Sequence, residues 1–134
     1  MKNEKIIGID IAKNSFDLCV AGSEKVEHWD YADLKKCIKK LKKLEPQLIA
    51  LEATGGYETR FIIAAVEAQM PVARVNPRRV RALAIALGEM AKTDKIDARI
   101  IAKFASQIKP EAITEINRAN HEMQELVTRR AQLV

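Results

Sequence analysis

The chain has 134 residues, 48% of them hydrophobic and 31% charged, with a formal net charge of +5. That length holds one domain with a real core rather than two of ordinary size. No apolar run approaches the ~20 residues of a membrane span, and the N-terminus lacks a signal-peptide core, so the expectation is a cytoplasmic protein with no membrane partner. Residues Lys5 to Lys13 (KIIGIDIAK) open with Ile6, Ile7, Ile9 and Ile11, a β-branched run suited to one buried strand. Asp10 interrupts it near the end, on the same side as Ile6 and Gly8. A carboxylate there needs a cation, several donors or an exposed strand end. It is either a solvated strand-end acid or part of a site at the sheet edge.

Phe16, Leu18 and Val20 alternate with Asp17 and Cys19 as a second strand, after a tight turn at Asn14 and Ser15. Gly22 and Ser23 turn the chain into a short third strand, Lys25 to Tyr31. Asp33 is placed to cap a helix from Leu34 to Leu44, with Leu34, Cys37, Ile38, Leu41 and Leu44 on its apolar face. The other face carries Lys35, Lys36, Lys39, Lys40, Lys42 and Lys43, which suits solvent or nucleic acid. Gln47 to Ala53 (QLIALEA) forms a further apolar strand with Glu52 near its end, and Gly55 and Gly56 lead into a helix from about Tyr57 to Gln69. Pro71 to Asn76 reads as a strand, and Pro77 begins a helix that carries Arg78, Arg79 and Arg81 and stops at Gly88. Cys19 and Cys37 have no CxxC spacing and no neighbouring histidine, and read as packing residues, while His28 and His121 read as surface residues.

Three strands joined by tight turns must be antiparallel neighbours, and later strands separated by helices should add in parallel through right-handed crossovers. The expected fold is an α/β, ribonuclease H-like mixed sheet with flanking helices. Lys92 to Arg99 (KTDKIDAR) then places Asp94 and Asp97 three apart. With Thr93 as N-cap they would share one helix face, and helix-dipole stabilisation alone could explain two acids there. Asp10 and Glu52, however, end two strands that are adjacent in such a sheet. A helix laid across those ends would bring all four acids to one edge. Carboxylates that close repel one another unless a cation sits among them, and Mg2+ suits oxygen ligands and a phosphate-bearing substrate, with Mn2+ as substitute. Arg74, Arg78, Arg79, Arg81, Lys92, Lys95 and Arg99 come from segments near that edge and would offset phosphate charge.

GIDIAK, LEATGGY and VNPRRVRALAIALGEMAKTDKIDA, in that order, resemble the N-terminal domain of insertion-sequence 110 transposases, the group that includes Piv-type DNA invertases. The resemblance runs from about Ile6 to Lys103. It implies a RuvC-like domain whose metal-binding, catalytic tetrad is Asp10, Glu52, Asp94 and Asp97. It also implies a recombinase acting on DNA through Mg2+ under guidance of a structured bridge RNA. Family members continue into a second domain with a catalytic serine, so the expectation is a fragment holding half of a composite site. Ser15, Ser23 and Ser106 match no such motif. Alternatives are a Holliday-junction nuclease and a non-catalytic nucleic-acid-binding module. GIDIAK also resembles the first phosphate loop of actin-like ATPases, which need a second domain and a later Gly-rich loop.

Residues 1–108 are expected to form the RuvC-like domain, and 109–134 the start of a dimerisation helix. Pro110 closes the core. Ile113, Ile116, Asn120, Met123, Val127, Arg130 and Val134 then alternate spacings of three and four, as a heptad seam for homo-oligomers.

Overall fold

A computed structural model describes residues 5–113. Five strands and four α-helices follow in the order β1 (Ile6–Ile11), β2 (Ser15–Val20), β3 (Val26–Asp30), α1 (Leu34–Leu44), β4 (Leu48–Glu52), α2 (Thr59–Glu67), β5 (Val72–Val75), α3 (Pro77–Ala86) and α4 (Ala98–Ile108). They form one sheet in the order β3-β2-β1-β4-β5. β1 pairs antiparallel with β2, and β2 with β3, whereas β1–β4 and β4–β5 are parallel. This is the mixed sheet expected from the element order. The short connections Ala12–Asn14 and Ala21–Lys25 leave only antiparallel pairing, while the intervening helices allow parallel addition.

Strand alternation sorts the core into two layers. Ile7, Ile9, Ile11, Phe16, Leu18, Ile49, Leu51 and Val72 face α1 and α2, meeting Leu34, Cys37, Leu41, Phe61, Ile62 and Ala65. Phe16 packs edge-on against both Tyr31 and Phe61, with ring centroids 5.4 and 5.2 Å away. Burial pushes the Cys37 thiol up to about 12, with Glu27 adding to the effect, as suits a packing residue. On the opposite side Ile6, Leu48, Ala50, Ala73 and Val75 meet Val80, Ala84, Ile100, Ile101, Phe104 and Ala105 of α3 and α4.

α1 spans Leu34–Leu44 as expected, but its capping differs. Asp33 precedes α1 but makes no capping bond, whereas Asp30 accepts from Ala32 N–H and starts a 3-10 turn over Tyr31–Asp33. The lysine face of α1 is exposed, and part of it serves the fold. Lys40 pairs with Glu27 at 2.6 Å and lies over the Trp29 ring, and Lys42 donates to Ala68 O. Glu111–Ile113 are not helical. Ile113 donates to Val72 O at 2.8 Å and packs on the first core layer, so the chain runs along β5 where a helix was expected to begin. The rest of the heptad seam, Ile116 to Val134, and His121 lie outside the described residues. Among residues 5–113 no helix is long and apolar enough to cross a membrane.

Candidate metal centre and nucleic-acid interface

Asp10 and Glu52 lie at the same edge of the sheet. Ile9 pairs with Leu51 in the parallel β1–β4 ladder, and the two acids are the next residue along each strand. Both are half-buried and, by alternation with Ile6, Gly8, Leu48 and Ala50, belong to the face covered by α3 and α4. Burial raises the pKa of Asp10, and the neighbouring charges of Asp17 and Asp97 raise it further, while Lys95 acts against them. Burial likewise raises Glu52, Asp10 adds to this, and Arg81 opposes it. Partly dehydrated carboxylates that repel one another are an electrostatic deficit that a cation would relieve.

Asp97 reaches this edge as the N-cap of α4, and its Oδ1 accepts from Ile100 N–H at 3.0 Å. α4 lies directly on β1. A Cβ at Gly8 would stand 2.4 Å from both Ala98 O and Ala102 N, so only glycine lets the helix approach this closely. Ala98, Ala102 and Ala105 keep the contact side of the helix small and buried.

The expected shared helix face for Asp94 and Asp97 is not formed. The helix begins at Ala98 rather than after Thr93, because Asp97 caps it and residues 91–94 close a turn of their own. Asp94 Oδ2 accepts from Ala91 N–H at 2.8 Å, and Arg81 Nη1 donates to Lys92 O and Asp94 O at 3.0 and 2.7 Å. Asp10, Glu52 and Asp97 are thus electrostatic neighbours, while Asp94 is turned to its own loop. Among the described residues no three acids, histidines or cysteines close on one point tightly enough to hold an ion.

The basic residues divide in the same way. Arg74 on β5 pairs with Glu58 at 3.2 Å, and Arg99 bridges Glu24 at 2.8 Å and Asp97 at 3.6 Å. With Arg81 bonded to the carbonyls of the 91–94 turn, all three residues make contacts within the fold at positions the sequence reading assigned to phosphate. Lys95 offsets Asp10. Arg78, Arg79 and Lys92 are exposed, and no ion pair joins them to another described residue.

Two neighbours of the site were missed from the sequence. Asp17 faces Asp10 across the β1–β2 ladder and accepts from His28 Nδ1 at 2.6 Å. Strand alternation alone could have placed it there. Glu58 is the buried charged residue of the described core, and its position six residues after Glu52, past two glycines, was the available signal.

The fold is that of RuvC. Thermus thermophilus RuvC, solved with a Holliday junction substrate, superposes with a TM-score of 0.59 at 17% identity, covering 82% of this chain and 99% of that one. A second Thermus thermophilus RuvC structure gives 0.59 at 16% identity, with 81% and 98% covered. The sequence profile of the IS110 DEDD transposases, described as "Transposase", matches residues 7–134, and the chain belongs to that family. Pilin gene-inverting proteins of Moraxella bovis and Moraxella lacunata are each 30% identical over 112 residues. Those matches cover 78% of this chain, which spans 35% of the relatives' length.

Proposed function

We propose that this chain is the acidic, metal-binding part of a DNA recombinase or transposase that cleaves and exchanges phosphodiester strands. The observation that carries the reading is the placement of Asp10 and Glu52 at one edge of adjacent parallel strands, with the Asp97 cap of α4 beside Asp10, in a chain of a transposase family. An all-oxygen, partly dehydrated donor set fits a hard divalent cation, Mg2+ with Mn2+ as substitute. Asp10, Glu52 and Asp97 would hold it, and Asp94 would join them if its bond to Ala91 opened. Such an ion supplies Lewis acidity toward a phosphodiester. The chain's own contribution is to keep the carboxylates half-dehydrated, to orient Asp97 through its bond to Ile100 N–H, and to hold Lys95 and Arg81 where they soften the repulsion.

DNA is the proposed substrate, and a structured guide RNA the proposed partner by family resemblance. Homo-oligomers through the heptad positions from Ile116 onward are proposed from the sequence pattern. Arg78, Arg79 and Lys92 form the proposed phosphate-facing surface. Nucleic-acid affinity should fall steeply with salt. Replacing Arg78 and Arg79 together by alanine should flatten the plot of log affinity against log salt by about one to two units, while Arg74→Ala leaves it unchanged. Equal slopes for all three proteins would show that Arg78 and Arg79 form only a solvated helix face.

The spread of the acids also favours a second reading, a nucleic-acid-binding module without a working metal site. Mn2+ titration of the chain followed by electron paramagnetic resonance decides between them. Saturable binding that is lost in Asp10→Asn supports the recombinase site, and no binding supports the module. Cleavage of a Holliday junction by the chain alone would instead identify a self-sufficient nuclease.

A further inference from the structure

Glu58 precedes α2 as its N-cap residue, yet its side chain makes no bond to that helix. It turns back instead. Oε1 accepts from Thr54 N–H at 3.2 Å, Thr54 Oγ1 at 3.2 Å and Gly56 N–H at 3.0 Å. Oε2 meets Arg74 Nε on β5 at 3.2 Å. The residue is only 4% exposed. Burial acts to raise its pKa, but the N–H groups of Glu58 itself, Thr54 and Gly56, with the Thr54 hydroxyl, outweigh it and hold the carboxyl below its ordinary range. Glu58 is therefore a buried carboxylate with both oxygens engaged, an arrangement that rigidifies whatever it grips.

What it grips is the segment that leaves Glu52. Gly55 and Gly56 adopt φ of +79° and +118°, and two such glycines in sequence would leave an untethered segment free to wander. Upstream, Ala53 N–H donates to Val75 O at 3.2 Å, one residue beyond Arg74. Downstream, Tyr31 Oη donates to Tyr57 O at 2.6 Å and accepts from Phe61 N–H at 3.2 Å. Glu58 thus ties the exit of β4 to β5 just past the last residue of the β4 strand, and that residue is Glu52.

We propose that Glu58 is a positioning residue for Glu52: by gathering Thr54, Gly56 and Arg74 it holds the β4 exit, and with it the Glu52 carboxylate, at the edge facing Asp10. Arg74 belongs to the same device. The proposal rests on the reading of Glu52 as a metal-facing carboxylate, and two readouts keep the two ideas separable.

Mn2+ affinity and hydrogen exchange of the Ala53 amide would be measured for the wild-type chain, Glu58→Ala, Glu58→Gln and Thr54→Val. The Ala53 amide is bonded to Val75 rather than to Glu58, so it reports the strand exit itself. Glu58→Ala should weaken Mn2+ about tenfold and speed Ala53 exchange at least about tenfold, with exchange at Ile9 in the core unchanged. Glu58→Gln keeps an accepting oxygen for Thr54 and Gly56 but sets its NH2 against Arg74 Nε–H, and should fall between wild type and Glu58→Ala on both readouts. If Glu58→Ala fails to fold, Thr54→Val removes one bond only, and should weaken Mn2+ about threefold and speed Ala53 exchange. A folded Glu58→Ala with wild-type Mn2+ affinity or wild-type Ala53 exchange overturns the proposal, as does Thr54→Val indistinguishable from wild type. If the wild type binds no Mn2+, the metal reading fails, and the Ala53 exchange alone decides the positioning.

Discussion

Asp10→Asn should weaken Mn2+ binding by more than about 100-fold while raising the melting temperature of the metal-free chain. A residue that merely orients a metal ligand is worth about 10- to 100-fold in affinity, so losing a ligand should exceed that. The stability change follows from linkage. Burial and the charges of Asp17 and Asp97 raise the folded-state pKa of Asp10 above its ordinary 3.8, and burial with Asp10 raises Glu52 above 4.5. Groups shifted upward on folding contribute stability that is fully present below their ordinary values and is lost as pH rises through the raised ones. At neutral pH both carboxylates are on the losing side, and the neutral amide at position 10 removes that deficit along with its repulsion of Glu52. Thermal melts in EDTA should show the variant ahead at pH 7, with the gap closing as the pH falls toward 4. A variant that is less stable than wild type at pH 7 would mean that Asp10 is held by donors and has no need of a cation.

Gly8→Ala should destabilise the fold by about 3 kcal/mol or more, the upper end of what an added methyl costs in a packed core. The clash is with backbone, at 2.4 Å from Ala98 O and Ala102 N and 2.8 Å from Ala102 Cα, so no side-chain rotamer can relieve it. The helix itself must move. Because Asp97 is the cap of that helix, the displacement should also separate it from Asp10 and weaken Mn2+ binding. Urea unfolding measures the first effect and Mn2+ titration the second. A variant within about 1 kcal/mol of wild type would show that α4 does not rest on β1 as closely as this packing requires.

Much of the molecule follows from local pattern. The alternation of Ile6 to Ile11, Phe16 to Val20 and Leu48 to Glu52 is a period-two signal carried within each strand, and the turn and helix lengths between strands leave one mixed topology. With the strand order of the ribonuclease H-like fold, that pattern puts Asp10 and Glu52 at one edge. The motif order likewise led to the transposase family before any contact was known.

The choice of partner for each charged group came only with tertiary structure. Thr93 and Asp97 are both acceptable helix caps by residue type, and the choice between them fell to Arg81, 13 positions before Asp94 in the chain, which gathers the carbonyls of Lys92 and Asp94 into a separate turn. Arg74 has the composition of a phosphate contact, yet the buried oxygen of Glu58 takes it first. Gly8 reads as an ordinary strand residue until α4 is laid across it. Backbone periodicity is written in neighbouring residues, whereas the donor that satisfies a given carboxylate is set by which segments packing brings within about 3 Å, and the sequence by itself does not carry that distance.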